Sequence, residues 1–96
     1  MSWLGIRESL AILKRPSTIE EIADIMWVQF VSYARKVGFI EIKKQVEFNQ
    51  ILKRLLDRHV EGKRLGTCWI NGNQFFWLEQ DQWPGKVERE RMARYK

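Results

Sequence analysis

The chain has 96 residues, 45% of them hydrophobic and 12% aromatic, which is too apolar for a disordered polymer and long enough for one small core. A net charge of +5 is compatible with nucleic acid or acidic surfaces as partners, although charge alone speaks first to solubility. A single cysteine, Cys68, excludes an internal disulfide and a multi-cysteine metal site, and no apolar run approaches the roughly 18 residues of a membrane span. The start, MSWLGIRESL, lacks the basic-then-apolar pattern of a secretory signal, so the expected location is cytoplasmic, for a nucleoid-associated or a virus-encoded protein.

Trp3 to Arg15 reads as a short helix, with Trp3, Ile6, Leu10 and Leu13 near one face. Pro16 ends it, because the residue before a proline is pushed out of the helical region. Ser17 with Glu20, and Thr18 with Glu21, both match the spacing of a capping box and open a second helix over about 18–37. Its apolar stripe is Ile19, Ile22, Ala23, Met26, Phe30, Tyr33, Ala34 and Val37. Ile25, Val28 and Val31 lie off that stripe, either as scattered surface residues or as a face for a second copy in a homodimer. Gly38 is placed to cap the helix, and Phe39 to Ile42 is short and β-prone.

Positive charge concentrates in the next quarter. The first 42 residues are neutral, whereas residues 43–66 carry seven basic residues against three acidic ones. A helix from Lys44 to Glu61, closed by Gly62, sorts into two faces. Phe48, Ile51, Leu52, Leu55, Leu56 and His59 point one way; Gln50, Lys53, Arg54, Asp57, Arg58 and Glu61 point the other. Gln45, Asn49 and Gln50 carry amides of the kind that pair with adenine edges. Arg54 and Arg58 suit guanine or phosphate, and Lys43, Lys44 and Lys53 suit phosphate. The plainer alternative is a solvated amphipathic helix, its field blunted by Lys43–Glu47 and Lys53–Asp57 pairs at i,i+4.

Asn71-Gly72, between CWI and NQFFWLE, is a strong hairpin signal because both residues tolerate the positive φ of a type I′ turn. Thr67, Trp69, Gln74, Phe76 and Leu78 share one face of the hairpin; Cys68, Ile70, Phe75 and Trp77 share the other. Both faces are largely apolar, so one packs on the helices and the other is covered by the N-terminal or C-terminal segment, by a partner, or by nothing. Lys63 and Arg64 at the hairpin base, with Asn71 and Asn73 at its tip, are placed to meet a phosphate backbone or minor groove. Trp83-Pro84-Gly85 breaks the pattern, and Lys86 to Lys96 reads as a charged helix, frayed or exchanged across a dimer. The expected division is a domain over 1–82 and a charged helix or tail over 83–96.

The order helix, helix, basic helix and Gly-turned aromatic hairpin resembles the winged-helix family of DNA-binding domains over residues 3–80. TIEEIADI, Thr18 to Ile25, also looks like the supporting helix of helix-turn-helix proteins. The resemblance implies an α+β, mainly helical fold: three helices, a β-hairpin wing and a C-terminal helical tail. It implies that Lys44 to His59 enters the major groove of duplex DNA, and that Lys63 to Glu79 is a wing touching backbone or minor groove.

Nothing in the residues calls for an enzyme, a cofactor or a metal. His59 falls on the apolar side of its helix, as a structural histidine does, and Cys68 sits on a strand among aromatics. No Gly-rich phosphate loop, zinc spacing or nucleophile motif is present. Two functions stand: a small DNA-binding transcriptional regulator, and a protein-interaction module, adaptor or inhibitor, that uses Trp69, Phe76 or Trp77.

Overall fold

The computed structural model describes residues 3–37 and 45–95, and the side chains of 29–37 and 45–47 lie outside that description. The expected Gly38 cap and the β-prone segment 39–42 lie outside the described residues as well.

Helix α1 spans Trp3–Leu13. It stops two residues short of the expected Arg15 because Lys14 turns left-handed, at φ 54°, while its N–H still bonds Leu10 O at 2.9 Å. Ser9, buried in mid-helix, is satisfied by donating to Gly5 O.

Ser17–Thr18 forms strand β1, a two-residue strand the sequence pattern does not announce, and helix α2 follows at Ile19–Val37. Of the two candidate caps the Thr18–Glu21 pair forms. Thr18 N–H donates to Glu21 Oε1 at 3.2 Å, and Glu21 N–H donates to Thr18 Oγ1 at 3.3 Å. The Ser17 hydroxyl instead donates to Arg15 O, and the Arg15 guanidinium pairs with Glu21.

Helix α3 spans Gln45–Glu61, followed by β2 at Leu65–Ile70 and β3 at Asn73–Leu78. The helix does not close on Gly62. Lys63 takes the left-handed position at φ 59°, with Arg64 N–H on His59 O and Lys63 N–H on Val60 O, the two bonds of a Schellman end. A non-glycine residue in that region costs about 1–2 kcal/mol, which the two carbonyl bonds offset. The hairpin turn is the expected one: Asn71 at φ 51° and Gly72 at φ 80° are both left-handed, as type I′ requires.

The sheet is antiparallel in the order β1-β3-β2, with Thr67 opposite Phe76, Trp69 opposite Gln74, and Thr18 opposite Phe75. The pairing places Phe76 and Leu78 on the inner face, where they join Leu65, Ile6, Leu10, Ile22, Ala23, Met26, Phe48, Leu52 and Leu56 in one core. Trp27 leans edge-on against Phe48, ring centroids 5.4 Å apart, and so fastens α2 to α3. The fold is therefore α+β and mostly helical, with α1, α2 and α3 on one side of a small antiparallel sheet.

The outer face carries Phe75 and Trp77, both buried. A 3-10 turn at Glu79–Asp81 and a cis Trp83–Pro84 bond lead to helix α4, Lys86–Ala93. Helix α4, within the segment 83–96, lies against this face. The Arg91 guanidinium donates to Pro16 O, and the Asn71 side chain donates to Ala93 O at 2.9 Å. Tyr95 meets Phe75 edge-on at 5.6 Å, and its hydroxyl is 3.1 Å from Thr18 Oγ1. Those contacts turn Met92, the one fully buried side chain of α4, toward the sheet, while Val87 stays exposed. Gly66 makes room for Trp77: a Cβ there would stand 2.1 Å from Trp77 Nε1.

Candidate nucleic-acid interface

Helix α3 has a buried side and a wet side because its apolar residues recur at helical spacing. Phe48, Leu52 and Leu56 are buried, whereas Gln50, Arg54, Asp57, Arg58 and Glu61 are exposed. Lys53 lies at the border. Its ammonium pairs with Asp57 at 2.7 Å and stands 5.7 Å from the Phe76 ring centroid, so helix and hairpin meet at this residue. Asn49, Gln50, Lys53 and Arg54, together with Ile19 of α2, line one open depression of about 640 Å³. Asn49 Oδ1 is buried there with no hydrogen-bond partner among the described residues, and so is Gln74 Oε1 on the hairpin. Buried polar atoms are ordinarily paired, so each of these acceptors calls for a donor from water or a ligand.

The other expected contacts scatter. Lys43 and Lys44 lie outside the described residues, and Gln45 starts α3 with its side chain outside the description. Lys63 and Arg64 are exposed at the end of α3, and the guanidinium of Arg64 turns back to 3.4 Å from His59 Nδ1. Asn71 is drawn away from the hairpin tip, because its amide caps the last turn of α4. Asn73 is half-buried where the hairpin turns, opposite Ile70.

The three aromatics expected to meet a protein partner separate as well. Trp69 is 65% exposed, but Phe76 is fully buried in the core and Trp77 is only 8% exposed. Phe76 lies in the core beneath the helices and Trp77 packs over Gly66, so of the three Trp69 alone is open to solvent.

Burial and the neighbouring Arg64 charge both lower the pKa of His59, which keeps it neutral at pH 7 with Nδ1 free to accept from Arg64. Burial pushes the Cys68 thiol up, against a smaller downward pull from Arg89. Among the described residues no three His, Cys, Asp or Glu side chains gather as metal ligands would, and no helix is long and apolar enough to cross a membrane.

Sequence reasoning missed Ile19 as a wall of the depression. It also missed Trp3 and Arg7, which α1 brings beside Lys63 and Arg64. The one available signal for the latter pair was their i,i+4 spacing on α1. Compared with protein-family models, curated proteins and solved structures, the chain matches none.

Proposed function

We propose that this chain is a small winged-helix-like DNA-binding protein, a transcriptional regulator that sets the wet side of α3 in the major groove of duplex DNA. The observation that carries the reading is the open depression where two amides and two cations, Asn49, Gln50, Lys53 and Arg54, stand together on one helix face. Gln50 and Arg54 are exposed there, an amide that suits an adenine edge and a guanidinium that suits guanine or phosphate. Arg58, Lys63 and Arg64 continue the positive charge toward the hairpin base, where phosphates would register the helix in the groove.

The test is binding to labelled duplex across a salt series, with size exclusion on the same sample to read the number of copies. Affinity should fall with a log–log slope of about 0.9 per phosphate contacted. Changing Arg54→Ala and Arg58→Ala together should reduce that slope by roughly 2 while the melting temperature holds, since both side chains are exposed. Unchanged binding would remove α3 from the interface.

The exposure of Trp69 supports a second reading, a protein-interaction module centred on that ring. It predicts partner binding that is insensitive to salt and lost in Trp69→Ala, with no preference among DNA sequences.

A further inference from the structure

Three separate pieces of chain converge on a cleft of about 330 Å³. Trp3 and Arg7 come from α1, Lys63 and Arg64 from the turn after α3, and Leu78 and Gln80 from the end of β3 and the residues after it. Among the described residues no carboxylate lines it. Arg7 and Lys63 are exposed and have no carboxylate within ion-pair distance among the described residues. Three uncompensated cations in one concavity repel one another, so an anion between them gains what the free protein lacks.

The walls are held in place. The Trp3 ring packs on His59 with centroids 4.5 Å apart, and His59 Nδ1 stands 3.4 Å from Arg64 Nη1. Lys63 is kept in a left-handed conformation at the rim by the Schellman bonds. The volume matches the small end of ligand pockets, roughly 300–1,000 Å³.

We propose that this cleft binds a phosphate group through Arg7, Lys63 and Arg64, with Trp3 as its apolar wall. The phosphate belongs either to a free phosphate ester or to a nucleic-acid backbone. Guanidinium groups match phosphate oxygens in geometry, and a charge-assisted hydrogen bond is roughly twice as strong as a neutral one. With a backbone as the source the proposal rests on the DNA reading, which already uses Lys63 and Arg64; with a free ester it stands without that reading, since a free ester needs no duplex.

The experiment titrates the full chain with inorganic phosphate, a nucleoside monophosphate and the unphosphorylated nucleoside, following the Trp3 indole and the Arg7 and Arg64 guanidinium resonances by NMR. The same duplex salt series is then run on Arg7→Ala. Arg7 is exposed, so the variant should keep the parent melting temperature; Arg7→Gln serves as a second variant. If the source is a free ester, both phosphates shift these resonances and the nucleoside does not. Arg7→Ala then weakens the effect by about tenfold, the size expected for one charged hydrogen bond. If the source is a backbone, the small anions do nothing and Arg7→Ala lowers the salt slope by roughly 1. No shift with phosphate, together with an unchanged salt slope or no duplex binding at all, overturns the proposal. Equal shifts with the bare nucleoside, coupled to an unchanged slope, overturn it too.

Discussion

The two faces of the sheet are covered by different means. Against the inner face lie three helices whose apolar residues recur at helical spacing, and the result is a single core from Ile6 to Leu78. Against the outer face lies one charged helix with a single buried side chain, Met92, fastened at its edges by Arg91, Asn71 and Tyr95. The inner layer is held by area, the outer by a few directional contacts around a small apolar centre. Two ways of closing a sheet can thus coexist in 96 residues, and they should fail differently.

The largest effect is expected on the inner side. Phe76→Ala empties the middle of the core and should cost about 4 kcal/mol in urea unfolding, a large share of the roughly 5–15 kcal/mol of a typical domain. Met92→Ala should cost about 3 kcal/mol in the same two-state unfolding. An unchanged midpoint for Met92→Ala would break the comparison, since α4 would then not belong to the folded unit. Tyr95→Phe keeps the ring on Phe75 but loses the hydroxyl contact with Thr18, for about 1 kcal/mol.

Acid and alkali should separate the faces by sign. His59, beside the inner layer, has a folded pKa below the ordinary 6.5, so it binds fewer protons folded than unfolded. Its contribution is complete above 6.5 and lost as pH falls through the lower folded value. Cys68, on the outer face, has a folded pKa above the ordinary 9.0. Its contribution is complete below 9.0 and lost as pH rises through the higher folded value. Melting temperatures across pH should therefore lose part of their acid slope in His59→Gln and part of their alkaline slope in Cys68→Ala.

What the sequence made legible follows the same division. Helix α3 and the hairpin were readable because Phe48, Leu52 and Leu56 recur at helical spacing and because Asn71-Gly72 admits few turns. Strand β1 was not readable: two residues carry no period, and Thr18 also serves as a helix cap. The docking of α4 was hidden by its composition, since one methionine among charges gives no stripe, and its anchors are partners 22 to 77 residues away in sequence. The left-handed cap at Lys63 rather than Gly62 follows from the hydrogen bonds of Lys63 and Arg64 to the helix end, which residue preference does not encode. On α3 the buried Phe48, Leu52 and Leu56 and the exposed Gln50, Arg54 and Arg58 lie on the faces that periodicity assigns them. The bond of the Asn71 amide to Ala93 O, 22 residues on, has no signal in the sequence.

Tyr95 makes the cover of the outer face depend on a residue far from the sheet in sequence. Its ring meets Phe75 and its hydroxyl lies beside Thr18, 17 residues after β3 ends at Leu78. One side chain thus touches two neighbouring strands at once, and its loss loosens the seam between β1 and β3 as well as the cover of Phe75.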